Sequence, residues 1–292
     1  MIIKKKLPAM KRNVLLSKYT TFKIGGPAEY FFKVKDRKEL TSAVKFAKEK
    51  GLPFFILGGG SNLLVSDKGF KGAVIKIENC KLKTENYKVV ADAGISLNKL
   101  VDMSTKKGLS GLEWAAGIPG TLGGATFGNA GAFGKSMKDI VEMVEAFDIE
   151  KDKFINLKNK KCKFGYKESI FKRNKNLVII SIGLKLKKGN IKNIKKRIKE
   201  NLVYKKEEQP LKYSSAGSVF KNPKGKSAWE MIEKCGLRGK QAGRAKISDK
   251  HANFIVNLGK AKAKDVKKLI NLAKQRVKKK FKINLEEEIQ LL

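Results

Sequence analysis

The residues of this chain best placed to do chemistry offer backbone groups rather than side chains. PFFIL, a buried apolar run, leads into GGGSN at 58–62. Consecutive glycines there present N–H groups with no side chain over them, an anion nest suited to phosphate; a purely structural turn is the other reading of the same residues. A second glycine-dense segment, GLEWAAGIPGTLGGATFGNAGAFG, fills 111–134, with Trp114, Ile118, Leu122 and Phe127 interleaved as in a packed loop. Glycines this crowded in a folded domain mark close backbone approach or positive φ. Two such loops in one domain fit a diphosphate held from both sides, and a dinucleotide is the natural ligand of that arrangement. Neither GxGxxG nor GxxxxGK[ST] occurs, so a Rossmann or P-loop reading is unsupported.

Other chemistries are excluded by what is missing. The one histidine, His251, rules out a multi-histidine metal centre, and no metal site is expected. As a strand-start residue with a satisfied hydrogen bond it has a plain structural role. Cys80, Cys162 and Cys235 are odd in number, widely spaced and without CxxC. That argues against a disulfide framework or zinc site and for a reducing, cytoplasmic setting. Lys plus Arg is 66 against 27 Asp plus Glu, a net charge of +39. Arg supplies only 7 of the 66, whereas nucleic-acid readers favour its forked geometry. A solvated lysine surface that attracts anionic small molecules, with no specific nucleic-acid partner, is the reading adopted. No apolar run approaches a membrane span, and MIIKKKLPAMKRN lacks the apolar core of a secretory signal.

The elements that must position the loops follow from periodicity. EYFFKV (29–34) reads as a strand and 37–50 as a helix with Leu40, Val44 and Ala47 on one face. Gly51 caps it, and PFFIL then completes a βαβ unit ending at the first glycine loop. Strands are predicted at 71–77, 88–94, 140–149, 153–157 and centrally at 177–186, with a helix over 96–108. The charged stretch 187–209 is predicted helical, with Ile191, Ile194, Ile198 and Val203 on one face, and a domain boundary falls near it. Beyond lie a helix at 227–236 (Trp229, Ile232 and Cys235 inward), a strand at 251–259, an amphipathic helix at 263–281 and a closing strand, INLEEEIQLL.

Seven ordered motifs then carry a resemblance: YTTFKIGGPAEYF (19–31), LGGGSNLLVSD (57–67), the 111–134 loop, FGYKESIFK (164–172), AGSVFKNP (216–223), ISDKHANFIVN (247–257) and LEEEI (285–289). Together they resemble the UDP-N-acetylenolpyruvoylglucosamine reductase (MurB) family, compact subgroup, over nearly the whole chain. The resemblance implies an α+β fold. A vanillyl-alcohol-oxidase (PCMH) type FAD module of two α/β subdomains would span 1–190, dividing near 77. A small α+β substrate domain would follow at 191–292, its final strand returning toward the flavin site. It also implies non-covalent FAD, NADPH as reductant, a UDP-sugar substrate and a place in peptidoglycan precursor synthesis.

Residue roles carried over by motif are likewise expectations. FAD contacts would come from Thr21, Gly25, Gly58, Gly59, Gly60, Ser61 and Asn62, and from Gly117, Pro119, Gly120, Gly123, Gly124, Asn129 and Gly131. Ser218 matches the family's proton donor, where the residues alone also allow a turn-capping serine. Glu288 matches its catalytic glutamate, chosen over Glu286 and Glu287 because it directly precedes the aliphatic residue. Lys167 stands where the family usually reads YRxSxF, keeping the charge but losing the fork. It does the arginine's work with looser geometry, or a water or Lys172 shares it. Asn222 and Lys250 would hold substrate. An oxidase with the same FAD module and a basic nucleic-acid-binding protein are the alternatives.

Overall fold

The computed structural model describes residues 8–292; the first seven residues, including the start of the basic segment at the N-terminus, lie outside the described residues. The fold is α+β. By contacts it divides into two compact units, each assembled from separated stretches of chain. Among the described residues the first holds 8–10, 31–59 and 73–204; the second holds 11–30, 60–72 and 205–292. This division differs from a sequential one at 190. The helix Ile191–Glu208 is continuous across that point, and its early part is tied to the first unit. Gly189 N–H bonds the Gly108 carbonyl at 2.8 Å, and Asn201 Nδ2 donates to the Glu113 carbonyl at 3.0 Å.

The helix Arg37–Glu49 starts where Asp36 accepts from Glu39 N–H at 2.8 Å, a standard N-cap. It buries Leu40, Ala43, Val44 and Ala47. Its chain continues into the strand Phe54–Leu57, which pairs in parallel with Phe70–Ile77, Phe54 opposite Ala73 and Leu57 opposite Lys76. These belong to a four-stranded sheet ordered Met10–Leu15, Pro27–Val34, Phe70–Ile77, Phe54–Leu57, so the βαβ crossover skips one strand. A second sheet of five strands is ordered Lys153–Lys158, Val141–Asp148, Leu177–Lys185, Lys88–Asp92, Leu82–Glu85, all antiparallel. The predicted central strand is central, with Ile182 and Leu184 fully buried. Helix Leu97–Lys106, capped by Ser96, follows strand Lys88–Asp92 in the same unit.

In the second unit, strands Ser214–Ser218, Phe254–Asn257, Ala245–Ile247 and Gln241–Ala242 form an antiparallel sheet. Its core is supplied by helix Ala263–Phe281, through Val266, Leu269, Ile270, Ala273 and Val277, and by Phe22, Ile24 and Leu64 from the early segments.

Four expectations need correction. The helix at 191–208 buries Ile194 and Lys205 and half-buries Ile198 and Asn201, an i, i+4, i+7, i+11 stripe. Val203 is exposed because nine residues beyond Ile194 is half a turn away. Residues 187–188 instead pair as a short strand with Leu109–Ser110. Helix Ala228–Lys234 turns Ala228, Met231 and Ile232 inward, while Trp229 is 37% exposed and lies against the His251 ring. The closing segment is a strand only at Gln290–Leu291, beside Leu63–Leu64. Leu285 and Ile289, ahead of it, are buried in the core of the second unit. The second glycine segment is not all loop: Leu122–Phe127 is a short helix capped by Thr121.

Lys205, 6% exposed, has its pKa pushed down to about 8 by burial. Between about pH 8 and the usual lysine value the unfolded chain binds the proton that the folded chain releases, so stability from this residue rises with pH through that window. Urea titrations of the wild type and Lys205→Met should therefore diverge in favour of the wild type from pH 7 to 10, on the order of 2–3 kcal/mol.

Candidate active site

In the first unit the two glycine loops meet backbone to backbone. Strand Phe54–Leu57 delivers Gly58 and Gly59 onto the second loop. A Cβ on Gly59 would lie 2.5 Å from Gly120 Cα, and one on Gly58 would lie 2.6 Å from Thr121 Oγ1. The second loop is fixed from behind: Leu97 N–H bonds the Gly120 carbonyl at 3.0 Å, Leu122 N–H bonds Ile95 at 2.9 Å and Gly123 N–H bonds Ala93 at 2.9 Å. Gly117 and Gly120 flank Pro119 with φ of 71° and 120°, left-handed values that glycine tolerates. Gly123 and Gly131 are glycines for packing, since a Cβ would strike Ala93 and the Lys135 carbonyl respectively. Gly124 differs. It is exposed, and only Thr121 Oγ1 lies near its missing Cβ, at 3.5 Å, so the short helix presents bare backbone there. Lys76 reaches the loop from its strand, Nζ donating to the Gly58 carbonyl at 3.3 Å; burial pushes its pKa down.

The Asn129 side chain braces protein. Nδ2 donates to the Gly165 carbonyl at 2.7 Å and Oδ1 accepts from Lys138 N–H at 3.0 Å. The braced segment is the turn that carries Lys167. Gly165 and Glu168 exchange both backbone hydrogen bonds, at 3.0 and 3.2 Å, leaving Tyr166 and Lys167 at the tip. Lys167 has φ 55°, a left-handed conformation that costs a lysine of order 1–3 kcal/mol.

The second unit gathers the other expected residues around one bulge. Ser215 opposes Val256 and Ser218 opposes Phe254, so β-pairing gains one residue between them. Gly217 supplies the left-handed turn, φ 77°, and Ser218 emerges directly after it. Bulges re-aim side chains in this way. Thr21 holds the approach, Oγ1 donating to the Ser215 carbonyl at 2.8 Å and N–H donating to the Gly60 carbonyl at 3.1 Å. Gly60, at φ 62°, presses on the Tyr19 carbonyl, and Gly25 packs where a Cβ would strike Val65. Ser61 is half-buried beside them in sequence. Asn62 grips the C-terminal segment: Nδ2 donates to the Glu288 carbonyl at 3.0 Å, and its own carbonyl accepts from Gln290 N–H at 2.9 Å. Glu288 N–H in turn bonds the Val219 carbonyl at 2.8 Å, so the segments carrying Glu288 and Ser218 are hydrogen-bonded neighbours. Glu286 pairs with Lys221 at 2.5 Å and Glu287 with Lys274 at 2.6 Å.

Asn222 and Lys250 do structural work. Asn222 Oδ1 accepts from Ala228 N–H at 3.0 Å, at the start of helix Ala228–Lys234. Lys250 Nζ donates to the Lys206 carbonyl at 2.6 Å, a cation on a helix C-terminus. Sequence reasoning missed Asn253. Buried, it clamps Phe220 with Oδ1 on the N–H at 2.9 Å and Nδ2 on the carbonyl at 2.8 Å, while its carbonyl takes Val219 N–H at 2.8 Å. The available signal was an asparagine inside an apolar strand motif. His251 sits just before that strand, its Nδ1 accepting from Asn253 N–H at 3.3 Å and its ring 4.9 Å from Phe254; burial pushes its pKa down.

Two glycine loops packed backbone to backbone, with bare backbone presented at Gly124, suit a diphosphate. Among the described residues no group of side chains could hold a metal. Fold and cradle define an FAD-dependent oxidoreductase. Residues 28–157 match the family model of the FAD binding domain, and 209–292 match that of the UDP-N-acetylenolpyruvoylglucosamine reductase C-terminal domain. The reductase of that name from Caldanaerobacter subterraneus subsp. tengcongensis is 43% identical over 281 residues, covering 96% of this chain and 92% of the relative. That of Clostridium tetani is 40% identical over 286 residues, covering 97% and 92%. The crystal structure of UDP-N-acetylenolpyruvylglucosamine reductase from Thermus caldophilus superposes with a TM-score of 0.83 at 39% identity, covering 97% of this chain and 99% of that one. The chain belongs to the UDP-N-acetylenolpyruvoylglucosamine reductase family.

Gly59→Ala should force the loops apart. The purified variant is expected to bind FAD at least tenfold more weakly, a loss of about 1.4 kcal/mol or more, read by flavin absorbance after ultrafiltration at fixed protein.

Proposed function

We propose that the chain reduces the enolpyruvyl group of UDP-N-acetylglucosamine enolpyruvate to the lactyl ether of UDP-N-acetylmuramate, using NADPH and bound FAD, in peptidoglycan precursor synthesis. The observation that carries this reading is the pairing of the Ser218 bulge with the Glu288 segment inside the matched C-terminal domain. FAD, when bound, supplies hydride transfer from NADPH to the substrate. The glycine loops hold its diphosphate through backbone groups. They contain no histidine or cysteine, so the cofactor is held without a covalent bond.

The protein's own residues handle charge and protons. Lys167 faces the charge of the substrate carboxylate and favours electron density moving toward it as the double bond is reduced. Ser218 gives up its hydroxyl proton to the remaining carbon, and Glu288 acts in the same half of the reaction. A serine is a weak acid, so its position after a fixed bulge does much of the work. Asn222 and Lys250 help hold substrate by shaping the segments they bind. The net charge of +39 attracts both NADPH and a UDP-sugar, which are polyanions. The three cysteines are free, and among the described residues no helix is long and apolar enough to cross a membrane. We place the reaction in the cytoplasm, where NADPH and nucleotide sugars are made.

Ser218→Ala should lower turnover about 10²- to 10⁴-fold, or roughly 3–5 kcal/mol of barrier, while FAD content and NADPH-dependent bleaching of the flavin band stay normal. Glu288→Gln should behave alike. Equal loss of bleaching in stopped-flow would mean that Ser218 holds the site together rather than donating a proton. Lys167→Arg, which restores the family's usual residue, should keep or raise turnover, and Lys167→Ala should lower it.

A further inference from the structure

Lys172 lies five residues beyond Lys167, on the short helix Ile170–Arg173, and its ammonium turns back onto the turn. Nζ donates to the Lys167 carbonyl at 3.0 Å and lies 3.5 Å from Glu168 Oε1, with the side chain 24% exposed. The helix bearing it is fixed in turn. Ser169, fully buried, caps it by accepting from Lys172 N–H at 3.3 Å, and donates its own hydroxyl proton to the Phe127 carbonyl at 2.6 Å. From the other side Asn129 holds the Gly165 carbonyl. Two side chains, Lys172 and Asn129, thus bond the backbone of one tight turn, and Ser169 fixes the helix that carries the first.

A turn with a left-handed residue at its tip is made most cheaply with glycine or asparagine. Here that position holds a lysine, so the conformation is held by its surroundings. The second cation, Lys172, is committed to the turn's backbone and to Glu168.

We propose that Lys172 is a positioning residue for the reduction, fixing the Lys167 turn in its left-handed form so that the Lys167 ammonium is presented in one place. This rests on the role given to Lys167 above. It also accounts for how a lysine serves where a forked arginine is usual: a flexible stem is offset by a rigid base.

The test uses the full-length, FAD-loaded protein and two readouts. Hydrogen exchange by mass spectrometry reads the Gly165 and Glu168 amides that close the turn. Lys172→Met should speed their exchange at least tenfold, and Lys172→Arg should restore protection. Steady-state kinetics reads the consequence. Lys172→Met should lower kcat/KM for the enolpyruvyl UDP-sugar by about 10- to 100-fold, the scale of a small misplacement, with FAD content and NADPH-dependent bleaching within twofold of normal. In the Lys167→Ala background Lys172→Met should add nothing, because both changes remove one function. Unchanged exchange, or penalties that add, would overturn the proposal. If exchange rises and Lys167→Ala costs nothing, the role of Lys167 is refuted, and the positioning role falls with it.

Discussion

Everything the first unit offers to a ligand depends on two peptide backbones touching. Gly58 and Gly59 lie on Gly120 and Thr121 with no room for a single methyl group between them. Neither loop could keep that geometry alone. One is the end of a parallel strand, and the other is held by three hydrogen bonds from Leu97, Leu122 and Gly123. The contact makes a surface of peptide dipoles with no side chains to move aside, so the recognition is preorganised before anything binds.

Within each unit, several polar side chains hold backbone. Thr21, Asn62, Asn129, Asn222 and Lys250 each bond a main-chain group of another segment. This is physically sensible. An irregular loop leaves carbonyl and N–H groups that no helix or sheet satisfies, and short amides and hydroxyls are what satisfies them. Side chains that hold a loop's backbone in this way fix where the loop's other residues sit.

The sequence made some features plain for definite reasons. Glycine crowding and βαβ periodicity are local, so both cradle loops and the helix at 37–49 could be read directly. The family resemblance supplied Ser218 and Glu288 as expectations. What was illegible is non-local. Nothing in INLEEEIQLL says that Asn62 and Val219 will take its hydrogen bonds and leave just Gln290–Leu291 as strand. The stripe on the helix at 191–208 was misread because a half-turn was counted as a whole one at Val203, and because a buried lysine does not announce itself. The clamp by Asn253 needed the bulge at Gly217, which only the pairing register reveals.

The division of the chain has a consequence for the order in which the protein comes into being. The first unit is fully specified once residue 204 has been made. The second is not: its stretches 11–30 and 60–72 emerge early, but the residues that complete their core, such as Val266 and Leu269, come some two hundred positions later. At translation rates of about 5–20 residues per second the early segments wait roughly ten to forty seconds for their partners. During that time Phe22, Ile24 and Leu64 have no core to enter. The nascent chain thus carries a finished fold and an unfinished one together, and the unfinished part is where a chaperone would bind.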